Sequence, residues 1–329
     1  MIHELGHFIF AKKAGVYVYE FSIGMGPRLF KFKRKNDETE YSIRLFPIGG
    51  FVSMAGEDIV EDSNIPKDKQ LVNKKWISRF LTMFAGILFN FLLAILLLFI
   101  IALINGTSSQ DTVIDYIDPT YEISNTNLKQ GDVITKINDK KISSRDDLLL
   151  QLQVNTGKTI KIEVNNNYSV EITPTLITEN GNTSYLYGFS LKNDYEYGFF
   201  NAVKYAFVKT FSLIKQMFLI IIYLISGKLS LNNLSGPIGI YSVVAEVSKT
   251  GFLNVLYLIS YLCINVGFIN LLPIPAFDGC IILFLIIEKI KGGKVNQKVE
   301  NMVHSIGFIV LMILMVLITY NDIIRLVIK

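Results

Sequence analysis

The sequence predicts a polytopic α-helical membrane protein that carries a membrane-associated β-hairpin and an inserted α+β domain. Hydrophobic residues make up 51% of the 329 residues and charged residues 18%, which is too apolar for a soluble globular protein and too charged for a bare bundle of spans. Long charge-free runs alternate with polar stretches, and the mean hydropathy is +0.41. The net charge of +4 is small, and the basic residues lie beside apolar runs. They therefore indicate membrane topology rather than a nucleic-acid surface.

Residues 1–14 form the predicted first membrane helix and contain the motif His3-Glu4-Leu5-Gly6-His7. Two histidines four residues apart lie on one face of a helix, so both rings can bind one metal ion with the glutamate beside it. Zn²⁺ held by neutral imidazoles keeps a position for water, and a carboxylate can take that water's proton. Two ordinary surface histidines are the alternative, but the chain has only three histidines. We therefore predict a zinc site with Glu4 as general base.

The apolar part of this helix is short for a membrane span. Lys12 and Lys13 follow it directly. At 1.5 Å per residue, it covers about half of a bilayer core roughly 30 Å thick. We expect either that an outer half is missing or that the helix enters the membrane only halfway.

Residues 15–79 are predicted to form a β-hairpin and a polar loop on the cytoplasmic side. Apolar and polar residues alternate over residues 29–33 and 41–45, on either side of the turn-prone Asn36-Asp37. Glycines and prolines near residues 24–27 and 47–50 are interpreted as turns that border the hairpin. Its apolar flanks suggest that it dips towards the membrane beside the metal.

Residues 80–106 contain the first clear span, which is free of charge from Phe80 to Ile104. Basic residues before it place that end in the cytoplasm by the positive-inside rule. Gly86 predicts a close approach of another helix. Asn90 predicts a hydrogen bond to a neighbouring helix, and packing is favoured over a substrate contact.

Residues 107–195 are rich in Asp, Asn and Thr and predict a folded domain on the outer side of the membrane. Gly131-Asp132 leads into an alternating strand that ends near Asn138, and a helical pattern begins at Arg145. This order resembles a PDZ domain of the bacterial type, which binds an extended peptide at a sheet edge between a strand and a helix. A purely structural spacer is the alternative.

The rest of the chain predicts an interfacial helix and two further spans. Residues 196–250 carry lysines that leave a clean apolar run only over residues 216–227, so we predict an amphipathic interfacial helix followed by a turn-rich joint. Residues 251–280 form a span that ends in a segment broken by two prolines. Residues 281–302 are predicted to be a basic cytoplasmic loop, and residues 303–329 the last span.

A catalytic zinc takes three protein ligands and a water, and the first helix supplies only two. Asp278 and His304 are the candidates for the third. Asp278 follows the broken helix at membrane depth or its rim, where an unpaired carboxylate is costly and a zinc ion is a suitable partner. His304 begins the last helix, where a lone histidine is more often a capping or interfacial residue. We prefer Asp278 and keep His304 as the alternative.

With these motifs in order along nearly the whole chain, the sequence resembles the site-2 proteases of the bacterial regulator-of-sigma-E type, which are intramembrane zinc metalloproteases. Beyond the first motif, the segments that carry the resemblance are Phe21-Ser22-Ile23-Gly24-Met25-Gly26-Pro27, Pro47-Ile48-Gly49-Gly50-Phe51-Val52, the PDZ-like insertion, Leu234-Ser235-Gly236-Pro237, Asn270 to Gly279 and Thr319-Tyr320-Asn321-Asp322. Three departures from the family pattern are expected to matter. The first span lacks its outer half, the family's Leu-Asp-Gly-Gly reads Phe277-Asp278-Gly279-Cys280, and one PDZ-like domain is found where some relatives have two.

The resemblance implies that His3, His7 and Asp278 bind Zn²⁺, that Glu4 is the general base and that Asn270 contacts the substrate backbone. It implies cleavage inside a transmembrane segment of pre-trimmed single-span membrane proteins, such as an anti-sigma factor, or of remnant signal peptides. It also implies a multi-pass protein of the bacterial inner membrane, with the active site towards the cytoplasm and the PDZ-like domain outside. The expected partners are such substrates, the lipid bilayer and a peptide ligand of the PDZ-like domain, and no nucleic acid is expected.

Two other classes remain open from the sequence. A catalytically silent scaffold with a PDZ domain would keep the fold without binding zinc, and the intact motif residues disfavour it. A metal transporter would carry further polar ligands along a path through its spans, which here are otherwise nearly free of charge.

Overall fold

The computed structural model describes residues 1–57, 64–165, 167–179, 182–229 and 236–327. The helices of these ranges are α1 (Ile2–Lys13), α2 (Trp76–Asn105), α3 (Arg145–Val154), α4 (Phe199–Ile225), α5 (Pro237–Val247), α6 (Phe252–Leu271), α7 (Asp278–Lys291) and α8 (Gln297–Val327). The strands are β1 (Val18–Lys33), β2 (Glu40–Met54), β3 (Thr107–Ser108), β4 (Ile114–Ile117), β5 (Ile134–Ile137), β6 (Lys140–Lys141), β7 (Ile160–Val164), β8 (Tyr168–Ile172), β9 (Thr175–Glu179), β10 (Asn182–Leu186), β11 (Phe189–Leu191) and β12 (Tyr195–Glu196). Part of the predicted polar loop, residues 58–63, and part of the predicted joint, Leu234 and Ser235, lie outside the described residues.

The chain divides into two compact units. The first comprises Met1–Leu96 with Leu234–Lys329, and the second comprises Leu97–Asn233. Four helices are long and apolar enough to cross a membrane, namely α2, α4, α6 and the Lys298–Ile324 part of α8. These helices identify a polytopic membrane protein, as the composition predicts.

In the first unit, the predicted β-hairpin is present, but each of its strands bends back on itself. Residues 20–23 of β1 pair in antiparallel direction with residues 50–53 of β2 and in the same direction with residues 40–43. The first part of β1 therefore lies between two parts of β2, and Ile23 pairs with both Gly50 and Ile43. Residues 28–33 of β1 pair with residues 40–44 of β2. Gly24 and Gly49 allow the bends by adopting left-handed backbone at φ 86° and 72°. The turns predicted near residues 24–27 and 47–50 therefore lie within β1 and β2 and not at the borders of the hairpin. The two bent strands together contribute four segments that lie side by side in one sheet.

Charged side chains hold this sheet together. The buried Glu20 carboxylate accepts hydrogen bonds from Arg28 at 2.7 Å and from Arg44 at 2.9 Å. Burial would raise the pKa of Glu20, but hydrogen bonds from Ser42 and Arg44 and both arginine charges lower it overall. The carboxylate is therefore ionised and links three segments of the sheet.

Residues 272–291 correct one sequence prediction. Residues 272–277 are non-helical, as the two prolines predict, but α7 then begins at Asp278 and continues to Lys291. The predicted basic loop over residues 281–302 is therefore wrong for its first half. The apolar run that follows Asp278 sustains a helix, and Gly292 ends it in left-handed backbone at φ 74°. Only residues 292–296 link α7 to α8.

The second unit contains an α+β domain whose described strand pairs are all antiparallel. β6, β5, β7 and β8 form one sheet in that order, while β11 pairs with β4, β9 with β10, and β3 with β12. Its core is built from isoleucines of these strands and Leu148 of α3. The strand predicted after Gly131-Asp132 is β5, and the predicted helix is α3. The structure thus has the predicted local order, and the assignment to the PDZ class remains a prediction.

Two of the lysines that interrupt the apolar sequence of α4 form ion pairs with α3. Lys209 donates to Asp146 at 2.6 Å and Lys215 to Asp147 at 2.7 Å, and both acids lie in the first turn of α3. The charges of these two lysines are therefore neutralised inside the second unit. Because α4 is a continuous helix of 27 residues, its length and composition also suit a membrane span. Its predicted interfacial position stays a prediction.

Candidate metal centre

Three ligand-type atoms from the two ends of the chain face one another in the first unit. His3 and His7 lie one turn apart on α1, with Nε2 atoms 3.1 Å apart. The Oδ2 atom of Asp278, the first residue of α7, lies 3.0 Å from Nε2 of His3 and 3.2 Å from Nε2 of His7. Among the described residues, these three form the group of His, Cys, Asp and Glu side chains that is placed to hold a metal ion.

The chemistry of this donor set fits Zn²⁺. Nδ1 of His7 lies 2.8 Å from the carbonyl oxygen of Thr82, so Nδ1 carries the proton and Nε2 presents a lone pair. Oδ2 of Asp278 is buried and has no hydrogen-bond donor within the described ranges. Lone-pair atoms so close together repel unless a cation lies between them. Ligands of a tetrahedral zinc, at about 2.0–2.1 Å from the metal, lie about 3.3 Å from one another, close to the spacing found here.

Two glycines let α1 and α2 approach closely enough to build the site. A Cβ atom at Gly6 would overlap the backbone of Ala85, and one at Gly86 would overlap the ring of His7 and lie 2.9 Å from Cε1 of His3. The imidazoles therefore occupy the space that a side chain at position 86 would fill. The small residue at position 86 predicts this close approach.

Helix α2 also orients both rings. The carbonyl of Thr82 accepts the Nδ1 proton of His7, and Nδ2 of Asn90 lies 3.2 Å from Nδ1 of His3. When His3 binds metal through Nε2, its Nδ1 carries the proton, and the Asn90 amide must then turn its Oδ1 towards that nitrogen to accept the proton. Asn90 thus bonds a neighbouring helix, as the sequence predicts, but the sequence does not identify His3 as its partner. The overlooked signal is the four-residue spacing of Thr82, Gly86 and Asn90, which places them on one face of α2.

Asp278 is positioned by the start of α7. Its carboxylate lies at a helix N-terminus, where the backbone dipole favours negative charge. A Cβ atom at the following Gly279 would overlap the carbonyl groups of Leu271 and Leu272. The glycine therefore allows the end of α6 to fold tightly against the start of α7.

The remaining predicted residues take different places. Glu4 is half-buried in the first turn of α1, and its Cγ would lie 3.9 Å from a Cβ atom on Gly50 of β2. Asn270 is half-buried near the end of α6. His304, the alternative third ligand, instead accepts the N–H of Ala276 through Nδ1 at 3.2 Å. It is Asp278 that lies against both histidines of α1.

A cavity of about 570 Å³ lies beside Asp278 in the same unit. On its wall, Nη1 of Arg79 donates to both carboxylate oxygens of Glu288, at 2.9 and 2.8 Å. His304 also lines this cavity. Its charged lining makes it a suitable path for water to reach the carboxylate.

Comparisons with known proteins cover this site and nearly all of the chain. A family model described as Peptidase family M50 matches residues 1–314. The regulator of sigma-W protease RasP of Bacillus subtilis is 31% identical over 404 residues, covering 98% of this chain and 95% of that protein. The zinc metalloprotease RasP of Geobacillus kaustophilus is 31% identical over 399 residues (98% and 94%), and a relative from Clostridium acetobutylicum is 34% identical over 327 residues (98% and 94%). Because the first alignment is longer than the 329 residues of this chain, the Bacillus subtilis protein contains insertions that this chain lacks.

Proposed function

Because the chain belongs to peptidase family M50 and is a zinc metalloprotease, we propose that it cleaves peptide bonds inside transmembrane segments, with His3, His7 and Asp278 as zinc ligands and Glu4 as general base. The observation that carries this proposal is the mutual approach of the three ligand atoms to within 3.0–3.2 Å. Glu4 directly follows one of these ligands, His3, in α1. Its substrates are single-span membrane proteins whose outer part has been trimmed, such as an anti-sigma factor, or remnant signal peptides.

The protein's own side chains account for orientation and proton transfer. Zn²⁺ held by the three ligands supplies a Lewis acid for water and for the scissile carbonyl. Glu4 takes a proton from the attacking water and then donates it to the leaving amine. The carbonyl of Thr82 keeps His7 in the tautomer that presents Nε2 to the metal, and Asn90 would do the same for His3 when its Oδ1 is turned towards Nδ1.

The bent sheet of β1 and β2 is the proposed binding surface for the unwound substrate. Carbonyls inside a helix are shielded by their own hydrogen bonds, so the substrate must become extended before attack. Gly50 of β2 lies beside Glu4, and the sheet exposes Phe30 and Phe32 on an outer segment and Phe46 near the bend of β2. An extended segment can add to such a sheet by backbone hydrogen bonds while apolar side chains pack on it. Asn270 is proposed to contact the substrate backbone from the end of α6.

The base assignment is tested by Glu4→Gln, which keeps the size of the side chain and removes its basicity. We expect zinc content to remain near one per chain and cleavage of a transmembrane reporter substrate to fall by about a hundredfold or more. Glu38→Gln, a change in the turn between β1 and β2, is the matched control and should cleave normally. Normal cleavage by the Glu4 variant would refute the role of Glu4.

The proposed location is the bacterial inner membrane, with the metal centre near the cytoplasmic side and the second unit's sheet domain outside. The lysines before α2 and in the last turn of α7 support this orientation, since cytoplasmic flanks carry the excess of Lys and Arg. Labelling of single cysteines introduced at Lys75 and Lys140 in intact cells tests it. We expect a membrane-impermeant reagent to label position 140 only, and labelling of position 75 would reverse the topology.

We further propose that the sheet domain binds a peptide in the groove between α3 and β11 and thereby selects substrates. The groove has a volume of about 540 Å³ and is lined mainly by apolar residues, among them Leu149, Leu152 and Phe189. Within the described residues, β11 pairs with β4 along one edge only, so its other edge suits the addition of a peptide strand. Leu149 is 51% exposed inside the groove, and Leu176 is 54% exposed outside it. Leu149→Lys should relax the rejection of untrimmed substrates, whereas Leu176→Lys should not, and equal behaviour of the two variants would remove this role.

A further inference from the structure

The link between α6 and α7 carries a strained residue two positions before Asp278. Ala276 adopts left-handed backbone at φ 74°, a conformation that residues with a Cβ atom rarely take. Such a conformation is unfavourable for a residue with a Cβ atom and persists only where the surroundings impose it. The conformation of this link decides where the carboxylate of Asp278 points.

Helix α8 supplies the contacts that impose this conformation. Nδ1 of His304 accepts the N–H of Ala276 at 3.2 Å. One turn further along the same face, Gly307 lies so close to Pro275 that a Cβ atom there would overlap the proline ring. The His304 ring also lies 6.1 Å from the ring of Phe284 in α7, measured between centroids. Two residues of α8 thus hold two consecutive residues of the link.

We infer that His304 is a positioning residue for the metal centre, which fixes the 272–277 link so that Asp278 faces His3 and His7. His304 does this as a hydrogen-bond acceptor, and Gly307 assists by letting α8 pack against the link. The inference rests on the proposed role of Asp278 as third zinc ligand. It assigns a function to the one histidine outside the α1 motif and makes the last helix part of the metal site.

Two substitutions of similar size separate the acceptor from the ring. His304→Asn places Oδ1 where the histidine has Nδ1 and keeps an acceptor for Ala276, whereas His304→Leu removes it. Zinc affinity is measured on the full-length protein in detergent by competition with a chelator. Loss of an outer-shell contact lowers metal affinity by about tenfold to a hundredfold, and we expect this for the leucine variant. The asparagine variant and the control Ser305→Ala, exposed on the same turn, should bind zinc like the unchanged protein.

The outcomes distinguish this inference from the proposed site. If Asp278→Ala loses zinc and His304→Leu retains full affinity, His304 has no positioning role. Equal losses in the leucine and asparagine variants would also overturn the inference, because the ring itself would then be required. Retention of zinc by Asp278→Ala would overturn the proposed ligand set and the inference together.

Gly307→Ala provides a second test should the leucine variant fail to fold, with thermal unfolding of the metal-free protein as the check. Its Cβ atom must displace Pro275, so zinc affinity should fall even though position 304 is unchanged. Unchanged affinity in a folded Gly307→Ala protein would contradict the role of α8.

Discussion

Asp278 in the first unit and Asp146 in the second are two carboxylates in the first turn of a helix, with opposite surroundings. Asp146 is buried and accepts from the Lys209 ammonium at 2.6 Å and from Ser212 at 2.7 Å. Asp278 instead faces two imidazole nitrogens at 3.0 and 3.2 Å. The charge of the first carboxylate is neutralised by Lys209 within the fold, whereas the second lies against two imidazoles and is the proposed third ligand of a metal ion.

The difference shows how a buried carboxylate can be structural or functional within one chain. The Lys209 ammonium fixes the position of α4 against α3, and together with Ser212 it occupies both oxygens of the Asp146 carboxylate, so this group is not placed to bind a metal ion. Neutral rings held with their lone pairs towards the carboxylate reserve its charge for a metal ion. The distinction therefore lies in the partners of the carboxylate and not in its burial.

The largest expected effect comes from removing the functional carboxylate. Asp278→Ala should lower zinc affinity by more than the roughly hundredfold upper range for outer-shell changes, because a direct ligand is lost, and cleavage should disappear with the metal. Asp146→Ala is the control and should leave zinc affinity unchanged. The zinc content of both purified variants is the measurement. Zinc loss in the Asp146 variant would contradict the claim that only Asp278 contributes to metal binding.

The structural carboxylate should affect stability instead. Lys209→Met or Asp146→Asn alone should destabilise the second unit by about 3–5 kcal/mol, since each leaves an uncompensated buried charge or dipole, whereas the double variant should lose much less. Hydrogen exchange of α3 and α4 measures this cycle. Strictly additive losses would mean that the two groups do not act as a pair.

The contacts behind the imidazoles should give a smaller effect on metal binding. Asn90→Leu should reduce zinc affinity by about tenfold to a hundredfold, because Nδ1 of His3 loses its hydrogen-bond partner. Thr82→Ala, which keeps the backbone carbonyl bonded to His7, should not. If both variants or neither bind zinc less tightly in a chelator competition, the orienting role of the Asn90 side chain is wrong.

A third carboxylate, Asp132, should give the smallest effect and one that depends on pH. Burial would raise its pKa, but hydrogen bonds from Tyr168, the Lys129 N–H and Asn165 lower it. A carboxylate with a lowered pKa stabilises the fold above its ordinary pKa, and this stabilisation is lost as the pH falls through the folded value. Asp132→Asn should therefore cost about 1–3 kcal/mol at neutral pH and weaken the acid dependence of unfolding of the second unit. An unchanged pH profile would show that these hydrogen bonds do not favour the ionised form.

The local sequence pattern is enough to identify two of the three proposed metal ligands. The spacing of His3 and His7 specifies one helix face, and this follows from helix geometry alone. For the third ligand the sequence favours Asp278 but leaves His304 as an alternative, because the distance between α7 and α1 depends on packing across the whole chain. The same limit hid the partner of Asn90, although its spacing from Gly86 was visible.

The fold shows a similar boundary between local and non-local information. The long apolar runs predict the helices α2, α6 and α8, but the charges after Asp278 were given more weight than the apolar run, and α7 was missed. The hairpin was predicted from alternation, whereas its bent strands depend on pairing between segments far apart in sequence. The lysines of α4 interrupt its apolar run and led to the interfacial prediction. Their acidic partners lie some sixty residues earlier, so local sequence does not show that these charges are paired.

The close packing at Gly86 has a consequence for how this protein tolerates mutation. The histidine rings occupy the volume of the missing side chain, so no other amino acid fits at that position without displacing a metal ligand. Thr82 provides only its carbonyl to the site, so small residues should replace it freely. In a saturation library selected for proteolysis, position 86 should therefore return glycine alone, while position 82 should return several small residues.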